Sequence, residues 1–215
     1  MISTEPGAPG IKDTLMSDPL PLMEHFYTIQ GEGANAGRPC YFLRLGGCDV
    51  GCHWCDVKDS WEANRHPLVS VEEMTGMIRA AGAKRVVITG GEPLMHDLDR
   101  LTAAIKNIPA ETYIETSGTW PMSGTFDWVC FSPKKFKKPS ADIYEHADEL
   151  KIIVYHTSDL AWGLEHARRL KKECRLYFQP EWSREKEMLP QIIEFVKQHP
   201  EWSISLQTHK YMNIP

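Results

Sequence analysis

The sequence contains no run of about 18 consecutive apolar residues, so nothing in it reads as a membrane-spanning helix. Its opening residues carry Pro, Gly and acidic side chains where a secretory signal needs an apolar stretch, and a cytoplasmic protein is expected. Cysteine is scarce and unevenly spread. There are six, three of them within eight residues, which is not the pattern of a disulfide framework. Positive charge is in deficit as well: a formal net charge of −5 and a pI near 6.0 argue against a general nucleic-acid surface. Direct tRNA binding through the one lysine-rich stretch, "KKFKK", is therefore not expected, and the expected partner is a small molecule.

What is present is apolar material, 42% of 215 residues, enough for one domain with a sizeable core. Residues 1–20 mix Pro, Gly and Ser without a sustained period and read as a mobile arm, whereas 21–215 read as one domain. From Pro39 onward, short apolar runs alternate with segments of helical period. The runs "CYFLRL" (40–45), "RVVI" (85–88), "TYIE" (112–115), "WVCF" (128–131), "LKIIVY" (150–155), "RLYF" (175–178) and "SISL" (203–206) read as strands, most of them buried and parallel. Helices are expected over 70–82, opened by a Ser70/Glu73 capping box and closed by Gly82, and over 94–108, 158–173 and 184–199. This is an α/β fold, a complete or partial parallel βα barrel. Glycine-rich or polar residues follow nearly every run, as one cavity at the carboxyl ends of the strands requires: "GGCDVGCHWCD", "TGGEP", "ETSGT", "SPKK", "QPE" and "QTHK".

Cys48-x3-Cys52-x2-Cys55 offers three soft ligands, suited to zinc or to an iron-sulfur cluster. Zinc needs a fourth ligand, nominally His53 or Cys40. His53 sits between two ligands in a tight loop, which favours a four-iron cluster that keeps one iron open. Cys40, Cys130 and Cys174 are expected in the core, His146, His156 and His166 on the surface, and Trp128, Trp162 and Trp202 in packing roles.

With Trp54 just before its last cysteine, the motif resembles the signature of the radical S-adenosylmethionine superfamily, and "TGGEP" (89–93) resembles that superfamily's Gly-Gly-Glu segment. More narrowly, "FYTIQGEGANAGRPCYFLRLGGC" (26–48), "SPKK" and "QTHKYMNIP" resemble the 7-carboxy-7-deazaguanine synthases, over residues 22–215. "QGEG" alone is shared with enzymes that activate glycyl-radical systems, which are the alternative within enzymes. A non-catalytic zinc or electron-transfer module is the alternative outside them.

The resemblance implies a partial barrel of the radical SAM type, with a [4Fe-4S] cluster held by Cys48, Cys52 and Cys55 in the loop after the first barrel strand. It implies that Trp54, Asp56, Gly91, Ser132, Pro133 and Lys134 border S-adenosylmethionine, with Gln179 near its nucleoside. Ile29, Gln30, Gly31, Arg44, Thr89, His209 and Pro215 would contact the substrate, 6-carboxy-5,6,7,8-tetrahydropterin, which is converted to 7-carboxy-7-deazaguanine with loss of ammonia, on the path to queuosine and related deazapurines. The main-chain carboxylate of Pro215, with Glu32 as a further candidate, would face the guanidine-like edge of the pterin, and Arg44 its carboxylate. An electron donor such as a flavodoxin and a homodimeric state are also implied. Where many members offer a Ser or Thr hydroxyl to magnesium, this sequence has Val57, so a Mg2+ site would fall to Asp56 or Asp59.

Overall fold

All seven runs become strands, and because each is joined to the next by a crossover, helical or looped, they lie parallel. The computed structural model describes residues 19–215, so the expected arm lies, up to residue 18, outside the described residues. In chain order the elements are β1 (Leu20–Ile29), β2 (Pro39–Leu45), β3 (Leu68–Val69), α1 (Val71–Ala81), β4 (Arg85–Gly90), α2 (Asp99–Ile105), β5 (Glu111–Thr116), β6 (Trp128–Phe131), α3 (Ile143–His146), β7 (Glu149–Val154), α4 (Ser158–Ala167), β8 (Arg175–Pro180), α5 (Glu185–Gln198), β9 (Trp202–Ile204) and α6 (Thr208–Met212). One sheet runs β3-β1-β2-β4-β5-β6-β7-β8-β9. From β2 to β9 every pairing is parallel, whereas β1 is antiparallel to both its neighbours, β2 and β3. The two edge strands do not pair with each other, so the barrel is partial.

Period-2 alternation gives this sheet two different faces. Leu43 and Leu45 of β2, Val86 and Ile88 of β4, Val129 and Phe131 of β6, and Leu150, Ile152 and Val154 of β7 join the main core with α1, α2, α4 and α5. Fully burying each such aliphatic or aromatic side chain contributes roughly 1.5–3 kcal/mol. The intervening residues face the barrel interior. Cys40, Phe42, Val87 and Tyr113 close it with a small apolar cluster, half-buried Phe26 and Trp128 packing alongside. On the same interior face, toward the carboxyl ends, stand Arg44, Thr89, Glu115, Ser132 and Lys151, and these line a cavity.

Helix α1 begins and ends as the sequence predicts: Ser70 Oγ accepts from Glu73 N (3.1 Å), and Gly82 takes the left-handed conformation at φ +62°. Helix α2 is shorter than the expected 94–108, because the turn Pro93–Met95 is a separate 3-10 turn with Glu92 as its cap. Strand β1 escapes the sequence pattern because Pro21 and a register shift between Leu22 and Glu24 interrupt its alternation. It begins at Leu20, which is buried inside the stretch expected to be mobile. His166 is also a correction. It is buried, with Nδ1 2.8 Å from Tyr144 Oη, and the Arg169 guanidinium lies over the Tyr144 ring. Burial lowers its pKa to about 4, so it packs as a neutral ring.

Candidate active site

A cavity of about 270 Å³ opens at the carboxyl ends of the parallel strands. Cys48, Cys52 and Cys55 line it, in the loop that follows β2. Main-chain bonds shape that loop: Gly47 N donates to Ser60 O (2.6 Å), Cys48 N to Trp61 O (3.1 Å) and Cys55 N to Cys52 O (3.1 Å). The "TGGEP" segment is laced to it by Gly91 N to Leu45 O (3.0 Å) and Glu92 N to Gly47 O (2.8 Å). Glycine at 91 is required by this contact, since a Cβ there would lie 2.2 Å from Gly47 O and 2.7 Å from Cys48 Cβ. Glu92 turns away from the cavity to fasten the end of β5: its carboxylate accepts from Leu94 N (3.1 Å), Thr116 Oγ1 (2.5 Å), Ser117 N (2.8 Å) and Ser117 Oγ.

The donor set fits an iron-sulfur cluster. Three thiols share one cavity, while Cys40 is fully buried in the apolar closure and His53 is exposed, its ring edge-on to Phe136 and Tyr155. Among the described residues no three His, Cys, Asp or Glu side chains gather about a single ion position. Burial pushes the Cys48 thiol up, and the Cys52 thiol to about 11, so ligation must displace protons that the apo protein retains.

Trp54, Asp56, Gly91, Ser132, Lys134 and Gln179 line the same cavity; Pro133 is buried beside it and does not. Lys134 Nζ donates to Ser132 O (2.5 Å) and Ser132 Oγ (2.8 Å), and burial lowers its pKa. Gln179 Oε1 accepts from Ser205 Oγ (2.7 Å). Every expected substrate contact is at the cavity too: Ile29, Gln30, Gly31, Glu32, Arg44, Thr89, His209 and Pro215. Arg44 Nε donates to Glu24 (2.6 Å), which leaves its terminal nitrogens without a protein acceptor among the described residues. His209 comes from α6, whose first residue is tied to the loop after β1 by Thr208 N and Oγ1, both donating to Gly31 O (3.0 and 2.9 Å). A Cβ at Gly31 would lie 2.2 Å from His209 Nδ1. Burial lowers the His209 pKa, so the ring faces the cavity uncharged.

Glu115 and Gln207 line the cavity from the "ETSGT" and "QTHK" segments, though neither was given a role, and Lys151, which also lines it, lies outside every strand-end segment singled out in the sequence. The signal for Lys151 was there, a lysine inside the apolar run "LKIIVY", since an unpaired lysine is almost never buried in a strand. Glu32, expected to meet the substrate, has both oxygens engaged within the protein, by Lys151 Nζ (2.5 Å) and Gln207 Nε2 (2.8 Å). Burial pushes its carboxyl up, and the Lys151 charge and these hydrogen bonds outweigh that and bring it to about 2.

A magnesium site does not fit this loop. Val57 lines the cavity with an aliphatic side chain, Asp56 Oδ2 accepts from Lys210 Nζ (3.0 Å), and Asp59 is exposed outside the cavity wall. The "KKFKK" lysines are also spoken for in part: Lys135 pairs with Asp159, and Lys137 with Asp49 (2.5 Å) while lying over the Trp120 ring.

Comparison with known proteins agrees with this geometry. The profile of the Radical SAM superfamily matches residues 43–177. A 7-carboxy-7-deazaguanine synthase of Flavobacterium psychrophilum is 52% identical over 200 residues, covering 91% of this chain and 93% of its own. That of a Synechocystis species is 44% identical over 200 residues, with 93% and 96% covered. The crystal structure of QueE from Escherichia coli superposes with a TM-score of 0.79 at 33% identity, over 87% of this chain and 93% of that one. By sequence and by fold the chain belongs to the radical SAM superfamily and, within it, to the 7-carboxy-7-deazaguanine synthase family.

Proposed function

We infer that this protein is a carbon–nitrogen lyase that contracts the ring of 6-carboxy-5,6,7,8-tetrahydropterin to 7-carboxy-7-deazaguanine with release of ammonia. The observation that carries this is the lining of one cavity by three thiols, by the glycine segment laced to them, and by a separate set of hydrogen-bonding groups suited to a pterin. When bound, the iron-sulfur cluster on Cys48, Cys52 and Cys55 and S-adenosylmethionine supply the hydrogen-abstracting radical chemistry.

The chain's own residues bind, orient and shield. On our proposal Ser132, Lys134, Gln179 and the main chain at Gly91 form the face that receives S-adenosylmethionine. The substrate carboxylate takes the terminal nitrogens of Arg44, a planar fork already steadied through Nε by Glu24. Thr89, the main chain of 29–31 and neutral His209 supply hydrogen bonds at the pterin ring, with Pro215 at the rim. Phe26, Phe42, Trp54, Trp61 and Trp182 wall the cavity with apolar surface, which lowers the local dielectric and keeps water from a reactive intermediate. No step is assigned to magnesium.

No helix among the described residues is long and apolar enough to cross a membrane. The proposed setting is the reducing cytoplasm, with residues 21–215 acting as one domain, a flavodoxin-like electron donor, a homodimeric state and no direct contact with tRNA. The test is an anaerobic incubation of reconstituted protein with dithionite, S-adenosylmethionine and the tetrahydropterin, followed by mass spectrometry. Formation of 7-carboxy-7-deazaguanine is expected. Cleavage of S-adenosylmethionine without that product would overturn the substrate assignment.

A further inference from the structure

Lys151 stands in the middle of β7, its side chain 5% exposed, facing the barrel interior where Leu150 and Ile152 on either side face the core. A buried ammonium has three donors to satisfy. Among the described residues only one is met at hydrogen-bond distance, by Glu32 Oε2 (2.5 Å), while Glu115 Oε1 lies 4.0 Å away. The two glutamates are joined by a second route, through the main chain of Glu32. Gln30 Oε1 accepts from Glu32 N (3.1 Å) and Gln30 Nε2 donates to Glu115 Oε1 (2.8 Å), so Lys151, Glu32, Gln30 and Glu115 close a ring. Gln207 Nε2 fastens that ring to the segment that carries His209. All five side chains line the cavity. Two carboxylates against one ammonium leave one negative charge, and Glu115 Oε2 has no protein donor among the described residues. A purely structural ion pair would saturate its own donors and acceptors. This one leaves unused donors on the lysine and an unused acceptor on Glu115.

Resting on the functional reading above, we propose that Lys151 is a positioning residue for the pterin: it holds Glu32 and Glu115 on one side of the cavity, so that Glu115 receives an N–H edge of the ring while Glu32 anchors the flanking segments. Charged and titratable groups face this centre from every side: Glu32 from the loop after β1, Glu115 from β5, Cys130 from β6, Lys134 from the loop beyond it, and Glu149 from β7, with His209 facing Glu32 from α6. Burial opposes the Lys151 charge, and the surrounding negative groups reverse this, so its pKa lies well above the ordinary lysine value. Without the cation, only the Gln207 hydrogen bond and His209 would be left to oppose burial at Glu32, and its carboxyl would protonate at higher pH.

The test compares wild type, Lys151→Met, Lys151→Arg and the double variant Glu32→Gln/Lys151→Met, each reconstituted with its cluster. Product formation gives kcat and KM across pH, and fluorescence titration with 6-carboxypterin, an oxidised and unreactive analogue, gives Kd. Lys151→Met should raise KM and Kd about 100-fold while kcat changes less, and should move the acid limb of kcat/KM to higher pH; Lys151→Arg should recover most of the affinity. Unchanged Kd and an unmoved acid limb in a folded Lys151→Met protein would overturn the proposal. If that variant does not fold, the neutral double variant decides: poor pterin affinity supports the assignment and wild-type affinity overturns it. If neither neutral variant folds, Glu115→Gln decides in the same way, its side chain being 26% exposed. A wild type that binds S-adenosylmethionine but makes no deazaguanine would overturn the functional reading instead, and the proposal with it.

Discussion

The loop that carries Cys48, Cys52 and Cys55 is shaped by main-chain hydrogen bonds to Ser60, Trp61 and the "TGGEP" turn. Around Lys151 the geometry is fixed differently, by side chains that converge from the loop after β1, from β5, from β7 and from the C-terminal segment. A backbone-built site depends on glycine and on local chain shape, so it can be written in a few consecutive residues. A side-chain-built site depends on charge balance among residues more than 100 positions apart, and each member is replaceable only with the others in view.

The largest effect should come from Cys52→Ala. Two thiolates do not hold the cluster, so the visible iron-sulfur absorption and all product should disappear, while the thermal midpoint of the apo protein changes little because main-chain bonds keep the loop in shape. Retained turnover would remove the thiols from the active site.

Two glycine substitutions separate the regions at a smaller scale. Gly91→Ala drives a Cβ against Gly47 O, and Gly31→Ala drives one against the His209 ring. Overpacking of this kind costs about 1–3 kcal/mol, or roughly 5- to 150-fold in affinity. The first should weaken S-adenosylmethionine binding and the second pterin binding. Titrations in which both variants lose both ligands equally would erase the distinction between the regions.

This difference also explains what was legible in the sequence. The seven barrel strands showed themselves because their apolar runs are continuous, and the thiol loop because its spacing is local. Strand β1 was hidden by Pro21 and its register shift, and α6 by having only five residues. Lys151 belongs to no motif, and within "ETSGT" and "QTHK" nothing distinguishes Glu115 and Gln207 from their neighbours. The signal for Glu115 and Lys151 was a charged residue at an interior-facing strand position, which becomes informative only when the register is known, since neighbouring Leu150 and Ile152 point to the opposite face; Gln207 lies in the loop before α6. Glu32 lines the cavity, but its engagement by Lys151 and Gln207 belongs to the tertiary structure alone.

A quieter effect concerns Glu149, which supports the side-chain region from below. Its Oε2 accepts from Ala34 N (3.0 Å) and Trp128 Nε1 (3.2 Å), and Cys130 Sγ stands 3.6 Å from Oε1. Burial raises its pKa above the ordinary 4.5, so the folded protein binds a proton that the unfolded chain gives up more readily. Stability from this group is full below about 4.5 and declines as pH rises through the raised value. Glu32, lowered to about 2, has the opposite sign: its contribution is present above 4.5 and lost as pH falls toward 2. Glu149→Gln keeps one oxygen for Ala34 and Trp128 and turns an amide toward the Cys130 sulfur. Its melting temperature should gain on wild type as pH rises above the ordinary 4.5; a difference that stays constant with pH would mean that burial of Glu149 does not raise its pKa.

The smallest expected effect is that of magnesium. A hard cation needs oxygen ligands at about 2.0–2.1 Å, and position 57 offers two methyl groups where a hydroxyl would be required. Asp56 already compensates the Lys210 ammonium, which itself lies 5.1 Å above the Trp182 ring, so recruiting this carboxylate to a metal would strand a cation at the cavity rim. Chelation with EDTA and addition of Mg2+ should therefore change kcat/KM by less than about twofold, whereas Val57→Thr should make the rate respond to added Mg2+. A tenfold stimulation of the wild type would place the missing oxygens on the substrate instead of the protein, and the loop that carries the thiols would then also take part in holding the pterin.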